Sequence, residues 1–528
     1  MNRPTEKTLK ITKNAEKYVK KCRIGIAKLQ KVCYNTENIA FYTVKGENIM
    51  EQNRESRVGE ISLHYSDTTN LLEQSGYKYQ LQERSTPNLY RYLFDYDSVP
   101  KVSFNHRHVP MNMPAEIWIT DTTFRDGQQS TSPFTVTQIV DIFKMLHKLG
   151  GEKGIIRQSE FFVYSEKDRE AVQECMGLGY EFPEVTSWIR ANKNDLALVK
   201  NLGIKETGIL VSCSDYHIYK KMGLTRKSAL EKYLASVEEV INFGIKPRCH
   251  LEDITRADFY GFVVPFVEAL MKLGQKYNVP VKIRACDTMG YGVSYPGVAL
   301  PRSVQGIIYG LMHYSGVPSE LLEWHGHNDF YKVVTNAATA WLHGCASVNC
   351  AVLGIGERTG NCPLEAMAIE YASLRGTDDG MDLTVITDIA KYFEQNIGYM
   401  IPERTPFVGR CFNTTRAGIH ADGLLKDEEI YNIFNTEKIL KRPVMVAVDS
   451  HSGAAGIAHW LNGFYSLEGD ERIDKHHPII AAIKEKVDQQ YEAGRTTAMG
   501  DMELEEIFKH ADFELYKKIS SIHVKISG

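Results

Sequence analysis

The middle of the chain alternates eight times between a short run of β-forming residues and a longer amphipathic stretch. Strands are predicted at residues 116–120, 153–157, 184–188, 207–213, 246–251, 281–285, 322–325 and 347–354. Helices are predicted at residues 135–149, 166–177, 194–202, 226–243, 262–277, 302–314, 332–343 and 364–374. Eight βα units in roughly 260 residues match the usual size of a (β/α)₈ barrel. A doubly wound open sheet is the alternative, but eight regular units favour closure.

The flanking regions differ from this pattern. Residues 10–30 are Lys-rich and compatible with a surface helix, but residues 35–54 show no sustained period, so we predict that residues 1–114 are a partly disordered N-terminal extension. Its aromatic stretch at 89–110 is suited to packing along the next domain. Residues 115–376 form the predicted barrel, and residues 377–528 are expected to be a helical appendage. Met50 is a plausible alternative translation start, and deletion of residues 1–49 is expected to leave stability and activity unchanged.

Composition excludes several classes of protein. The net charge is −4, from 62 basic and 66 acidic side chains, which gives no indication of a nucleic-acid partner. Apolar runs are too short and too interrupted to span a membrane, and the N-terminus lacks the apolar core of a secretion signal. The ten cysteines follow no disulfide or zinc spacing. We therefore expect a cytoplasmic protein.

Polar residues concentrate where the predicted strands end, which is where barrel enzymes build their active sites. Arg125 and Asp126 follow the first strand, and His325 and His327 follow the seventh. Side-chain direction repeats every two residues in a strand, so both imidazoles point to one side. Two imidazoles and a carboxylate can hold a divalent metal with open positions. A structural His pair is the alternative, and Asp126 on the same face favours the metal site.

Three motifs together resemble those of the metal-dependent condensing and lyase barrels. They are Phe-Arg-Asp-Gly-Gln-Gln at 124–129, His-Gly-His-Asn-Asp at 325–329 and Gly-Glu-Arg-Thr-Gly-Asn at 356–361. This family includes 2-isopropylmalate synthase, homocitrate synthase, Re-type citrate synthase and 3-hydroxy-3-methylglutaryl-CoA lyase. The third motif and the segment at 417–426 look like the synthase branch. The resemblance, over residues 116–374, implies a homodimer that condenses acetyl-CoA with a 2-oxo acid.

The resemblance also implies a set of binding residues. A divalent metal (Mn²⁺, Mg²⁺ or Zn²⁺) would be held by Asp126, His325 and His327, with Asn361 nearby. The 2-oxo acid would contact Arg125, His217 and Thr288. Acetyl-CoA, the co-substrate, would lie against Gly356, Glu357 and Arg358.

The resemblance also implies which residues transfer protons. Glu252 and His420 would take part in removing a methyl proton from acetyl-CoA, and Tyr431 would protonate the new alkoxide. A packed helical tail is the alternative for His420 and Tyr431. In the catalytic interpretation, this tail reaches a barrel mouth, that of the neighbouring subunit if the chain is a dimer.

Arg157 is the residue on which we base the substrate prediction. Many relatives have an acidic residue and a Pro-containing turn after the second strand, where this chain has Arg157. An added cation beside the oxo-acid pocket would suit a second carboxylate, and a salt bridge with Glu160 is the alternative. Residues 377–528 also leave little room for the regulatory domain of leucine synthases.

These two points favour citrate or homocitrate synthesis. Of the two substrates we prefer oxaloacetate, giving citrate, to 2-oxoglutarate, giving homocitrate. 2-Isopropylmalate synthesis is a further alternative within the family. The alternative from another enzyme class is a metal-dependent lyase or aldolase. The third hypothesis is a non-catalytic binding protein.

Overall fold

The fold is taken from a computed structural model, which describes residues 57–58, 62–66, 71–75, 78–190, 193–465, 467 and 469–526. The expectation for residues 1–49 lies outside this set. Contacts within the structure divide the chain into two compact units, of which the second includes Leu81–Gly528. Four short strands precede Leu81 in the sequence: β1 Arg57–Val58, β2 Ser62–Ser66, β3 Leu71–Ser75 and β4 Lys78–Tyr79. β1 pairs antiparallel with β4, and β2 pairs with β3.

Eight parallel strands close into a barrel, in the order in which they occur in the sequence. They are β5 Trp118–Asp121, β6 Ile156–Phe161, β7 Glu184–Ile189, β8 Glu206–Leu210, β9 Lys246–Glu252, β10 Lys282–Asp287, β11 Leu322–Gly326 and β12 Ser347–Cys350. The barrel closes where β12 pairs with β5. The predicted (β/α)₈ barrel is therefore confirmed, and the open sheet is excluded.

Helices cover the outside of the barrel. They are α1 Val136–Gly150, α2 Glu166–Gly177, α3 Lys193–Asn201, α4 Arg226–Asn242, α5 Val264–Tyr277, α6 Val304–His313, α7 Val333–Leu342 and α8 Leu364–Arg375. α1 illustrates why they form: Thr135 and Gln138 make a reciprocal capping box at its start. Ile139, Phe143 and Leu146 then recur along one face and are buried.

The second barrel strand differs from its prediction. It begins at Ile156 and runs to Phe161, whereas the sequence suggested residues 153–157. The inward-facing residues of its second half include Gln158 and Glu160, both buried, so hydropathy does not mark that half as a strand. This shift places Arg157 at the start of the strand instead of its end.

Residues 81–114 lie against the barrel and belong to its compact unit. The Asn88 amide donates to Asp215 Oδ2 at 2.6 Å, and the Asn112 amide donates to the Leu342 carbonyl at 2.8 Å. Arg302 donates to the carbonyls of residues 100 and 101. The expected aromatic packing holds for Phe94, which is buried, whereas Tyr96 is exposed.

The region after α8 is mostly helical, as predicted. Its helices are α9 Val385–Tyr392, α10 Gly418–Lys426, α11 Thr436–Leu440, α12 Ala454–Phe464, α13 Pro478–Glu492, α14 Asp501–Ala511 and α15 Phe513–Ile526. Two short parallel strands, β13 Thr414–Thr415 and β14 Met445–Val446, accompany them. α12 to α14 share an apolar core that includes Leu461, Ile480 and Phe508. Among the described residues, no helix is both long enough and apolar enough to cross a membrane.

Candidate active site

Asp126, His325 and His327 converge at the carboxyl end of the barrel strands. Asp126 follows β5, His325 lies on β11, and His327 comes just after it. The two Nε2 atoms are 3.3 Å apart, and each is 3.8 Å from Asp126 Oδ2. All three side chains are buried, and they are the one group of three or more potential metal-binding side chains of these types found in the described part of the chain.

The electrostatics of these three residues suit a cation. Burial lowers the pKa of His325 to about 3, and burial also lowers the pKa of His327, so both imidazoles are neutral near pH 7. Burial raises the pKa of Asp126, but the neighbouring Arg125 guanidinium and the two imidazoles outweigh this effect and lower the pKa to about 2. His325 Nδ1 lies 2.8 Å from Asn349 Oδ1, a bond that leaves Nε2 available as a ligand.

Two buried oxygen atoms beside the histidines have no hydrogen-bond partner among the described residues. They are Asp126 Oδ2 and Asn361 Oδ1. A buried polar atom without a partner costs free energy, so native proteins rarely leave one unpaired. Oxygen and imidazole nitrogen are ligands that divalent metals accept. The residues present therefore fit a divalent metal.

The loop at 354–361 holds Asn361 in place. The Asn361 amide donates to the Gly354 carbonyl at 2.9 Å, and Asn361 forms a backbone bridge with His327. Gly360 has φ +92°, and a β-carbon there would collide with the Gly354 carbonyl oxygen. The loop therefore needs glycine at this position, and its closure is what brings the Asn361 amide to the metal ligands.

The three residues predicted to contact acetyl-CoA belong to this loop. Gly356 is buried against the Asn361 amide, and Glu357 is exposed. Arg358 Nε is 2.9 Å from Asp329 Oδ1, and its Nη2 donates to the Thr288 carbonyl at 2.5 Å. Gly356 and Arg358 thus stabilise the loop, and contact with acetyl-CoA remains a prediction for all three.

Arg125 lies beside the metal ligands and is oriented by two carboxylates. Its Nη1 is 3.0 Å from Asp126 Oδ1, and its Nε is 2.7 Å from Glu160 Oε2. Its guanidinium also lies 5.7 Å from the centre of the Trp188 ring. With these contacts fixed, the guanidinium stays next to the place where a ligand of the metal would bind.

Comparison with known proteins shows the family to which the chain belongs. A family model described as HMGL-like matches residues 116–392, which include the candidate metal ligands, Arg125 and the loop that carries Asn361. The chain belongs to the HMGL-like family.

Several members of the family match most of the chain. A citrate (Re)-synthase of Clostridium kluyveri is 61% identical over 82% of this chain and 96% of its own length. A citrate (Re)-synthase of Syntrophus aciditrophicus is 54% identical over 81% of this chain and 68% of its own length. A 2-phosphinomethylmalate synthase of Streptomyces hygroscopicus is 36% identical over 82% of this chain and 98% of its own length.

Arg157 does not occupy the position that the substrate prediction required. It lies at the amino end of β6, 3.5 Å from Glu116 Oε2, with its guanidinium 4.6 Å from the centre of the Trp118 ring. Both neighbours lie at or before the start of β5, at the opposite end of the barrel from Asp126. The prediction that Arg157 recognises a second carboxylate in the active site is therefore wrong, and so is its alternative pairing with Glu160.

Glu252 and His217 form a hydrogen-bonded pair at the barrel mouth. His217 Nδ1 is 2.9 Å from Glu252 Oε2, and Ser212 also donates to that oxygen. Burial raises the pKa of Glu252, but the bond with His217 and the charges of His217 and Lys221 lower it to about 2. Glu252 is therefore ionised and orients His217. Thr288, also predicted to bind the oxo acid, accepts the Asp253 amide at 2.8 Å through its hydroxyl.

His420 and Tyr431 lie together in the C-terminal region. Their ring centres are 4.5 Å apart, and His420 Nδ1 is 3.3 Å from Thr415 Oγ1. Both residues are exposed, and none of their described contacts involves a metal ligand or Arg125. The structure of one chain thus brings the two residues together but does not bring them to the candidate metal site.

Sequence reasoning missed the charged layer beneath the site. Arg248 Nη2 is 2.7 Å from Glu160 Oε1, and Arg284 Nη1 is 3.2 Å from Glu160 Oε2. Arg248 also pairs with Glu206 at 3.2 Å, and Arg284 pairs with Glu323. All five side chains are at most 5% exposed. These residues could have been recognised because they place charges at alternate positions in strands whose other residues are mostly buried.

Proposed function

We propose that this protein is a citrate (Re)-synthase, which condenses acetyl-CoA with oxaloacetate and, with hydrolysis of the thioester by water, releases citrate and CoA. The observation that carries the proposal is 61% identity to the Clostridium kluyveri citrate (Re)-synthase over 96% of that protein. Asp126, His325 and His327 lie in one buried group, as a metal-dependent member of the family requires.

The chain's own residues suit the first part of this reaction. A divalent metal held by Asp126, His325 and His327, with Asn361 beside it, would act as a Lewis acid on the keto group of the oxo acid. Arg125 lies 3.0 Å from Asp126, where its guanidinium can stabilise negative charge on the keto oxygen. Thr288 and His217 line the same mouth and would bind the carboxylate of the oxo acid.

Proton abstraction from acetyl-CoA needs a base whose pKa is closer to neutral than that of Glu252. Because Glu252 is ionised and bound to His217, we assign it an orienting and electrostatic role in this step. His420 is the base and Tyr431 is the proton donor to the alkoxide, and both would be supplied by the second subunit of a homodimer. Their exposure in the single chain supports this arrangement.

The preference for oxaloacetate now rests on the citrate (Re)-synthases and no longer on Arg157. A panel of glyoxylate, pyruvate, 2-oxoisovalerate, oxaloacetate and 2-oxoglutarate tests it, with thiol release from acetyl-CoA as the readout and mass spectrometry of the product. We expect CoA release with oxaloacetate, and citrate as the product. Faster turnover of 2-oxoglutarate or 2-oxoisovalerate, or aldol cleavage without CoA turnover, would contradict the proposal.

A further inference from the structure

Three cationic side chains surround the ring of Tyr216, the first residue of the π-helical turn Tyr216–Lys221 that follows β8. The guanidinium carbon of Arg256 is 4.2 Å from the ring centre, Lys220 Nζ is 5.7 Å away, and the guanidinium carbon of Arg91 is 5.9 Å away. Arg91 belongs to the segment before the barrel, and Arg256 follows β9. The Tyr216 hydroxyl donates to the Leu89 carbonyl at 2.8 Å, which fixes the ring between these parts of the chain.

The positive charge of this cluster exceeds the negative charge that contacts it. Arg256 binds Asp253 through Nε alone, at 2.9 and 3.1 Å, so its two terminal nitrogens remain for another acceptor. The described hydrogen bond of Arg91 goes to the Phe94 carbonyl. Lys220 has no carboxylate partner in the described part of the chain. Asp253 is itself shared with Ser214, at 2.5 Å.

The three cations all lie within 5.9 Å of one ring centre, so they repel one another. A bound anion would offset this repulsion. Guanidinium and ammonium groups together form charge-assisted hydrogen bonds with phosphate oxygens, with Arg the better matched in shape. The three cationic side chains around Tyr216 therefore fit a phosphorylated ligand, provided that they lie where such a ligand is used.

The cluster is on the active face but across the barrel from the metal ligands. Tyr216 directly precedes His217, which lines the mouth through its bond to Glu252. In the closed barrel, β8 is diametrically opposite β12, and β9 is opposite β5, the strand before Asp126. An anion bound at Tyr216 would therefore lie across the barrel mouth from a metal at Asp126, with Asp253, the partner of Arg256, 3.7 Å from His217 Nε2. A long ligand, with its reacting end at the metal site and its anionic end at the rim, satisfies both positions.

We propose that Arg91, Lys220 and Arg256 bind the phosphates of the nucleotide part of acetyl-CoA. Acetyl-CoA is long, carries its reacting acetyl group at one end, and carries a pyrophosphate and a 3′-phosphate at the other. This inference rests on the proposed function, because it takes acetyl-CoA as the substrate. It also gives the segment at 81–114 a function in binding acetyl-CoA, because this segment supplies Arg91 to the rim of the barrel.

The test compares acetyl-CoA with acetyl-pantetheine, which has the same thioester and no phosphate. Arg91→Gln, Lys220→Gln and the double variant are assayed with both thioesters; Arg256 is left unchanged because it holds Asp253. In the double variant we expect kcat/KM for acetyl-CoA to fall about tenfold or more, corresponding to about 1.4 kcal/mol. The value for acetyl-pantetheine and the KM for oxaloacetate stay within about twofold of wild type, since neither substrate carries a phosphate.

Lys144→Gln is the matched control, because it removes the same charge from an exposed position on the outer helix α1. It should leave the preference for acetyl-CoA over acetyl-pantetheine unchanged. An equal loss with both thioesters in the double variant, or a rise in the KM for oxaloacetate alone, would overturn the proposal.

Calorimetric titration of CoA and of pantetheine gives a second readout that does not depend on citrate formation. Weaker binding of CoA by the double variant, with unchanged binding of pantetheine, supports the phosphate site even if the wild type uses another oxo acid. CoA binding equal to that of wild type refutes it even if the wild type makes citrate.

Discussion

Glu160 is the residue on which three buried guanidinium groups converge. Its carboxylate contacts Arg125, Arg248 and Arg284, and their charges hold its pKa well below the usual range even though burial raises it. Glu160→Gln keeps the shape but leaves these cations without their shared anion. We expect a loss of about 3–5 kcal/mol in the free energy of unfolding, measured by urea titration.

Glu403→Gln is the control for that measurement, because Glu403 pairs with Arg410 at an exposed position. Solvent screens such a pair, so no measurable loss is expected. If Glu160→Gln is as mild as Glu403→Gln, the charged layer does not stabilise the barrel. Activity should fall with Glu160→Gln as well, since Arg125 loses the 2.7 Å contact that orients it.

His327 should be needed for metal binding and turnover but not for folding. Its Nε2 faces Asp126 and His325, and the apolar core of the barrel does not involve the imidazole. His327→Ala is expected to lose the bound metal and all measurable activity, while the circular dichroism spectrum and the melting temperature stay close to wild type. His510→Ala, at an exposed position on α14, should change neither. Unfolding of His327→Ala would instead indicate a structural histidine.

The sequence allowed the grouping of Asp126, His325 and His327 to be predicted but not the surroundings of this candidate metal site. His325 and His327 could be recognised because the two-residue period of a strand acts locally. Glu160 and Arg248 are 88 residues apart, and their contact depends on barrel closure, which no local pattern encodes. Arg157 was misjudged because the polar half of β6 was taken for a loop, which moved the end of the strand by four residues, from 157 to 161.

At the scale of elements, the loop between β12 and α8 decides where Asn361 lies. Gly360→Ala places a β-carbon against the Gly354 carbonyl oxygen in a backbone conformation, φ +92°, that alanine rarely adopts. We expect the loop to open, with weaker metal binding and a large fall in kcat. Gly463→Ala, where a β-carbon meets open space on α12, is the matched control and should be harmless. Equal metal affinity in the two variants would contradict this account of the loop.

The same loop is anchored by a carboxyl group with an unusual pKa. Glu365, in the first turn of α8, accepts the Leu353 amide at 3.0 Å, and burial raises its pKa to about 7. Its folded pKa lies above the unfolded value, so the unfolded state ionises first as the pH rises. The contribution of Glu365 to stability is therefore full below about pH 4.4 and is lost progressively up to about pH 7.

Glu365→Gln removes this ionisation and keeps an oxygen for the Leu353 amide. The difference in unfolding free energy between variant and wild type should shift in favour of the variant by about 3 kcal/mol between pH 4 and pH 8. Comparing the two proteins cancels the contributions of Asp121 and Asp287, whose pKa values burial raises to about 6. Urea titrations at pH 4 and pH 8 measure the difference in unfolding free energy between variant and wild type. A difference that does not change with pH would contradict the ionisation of Glu365 in this range.

At the scale of the whole molecule, the barrel brings residues from distant parts of the chain to one face. The segment after β5 supplies Arg125 and Asp126, the end of β11 and the residue after it supply His325 and His327, and the loop after β12 supplies Asn361. The eightfold alternation of strands and helices was sufficient to predict this architecture, because each unit has its own local signal. The aromatic residues at 89–110 predicted packing on the barrel, which holds for Phe94, but the hydrogen bonds that attach residues 81–114 to loops of the barrel have no local sequence signal.

We propose that acetyl-CoA and oxaloacetate condense at a metal ion held by Asp126, His325 and His327 on this face. The most direct measurement removes bound metal with a chelator, restores it by titration with Mn²⁺, and follows citrate formation and bound metal together. We predict no citrate from the metal-free protein and a rise in citrate formation that saturates at one ion per chain. Asp126→Asn should show neither the binding nor the activity. Citrate formation by a protein shown to contain no metal, or saturated binding without citrate formation, would contradict the account.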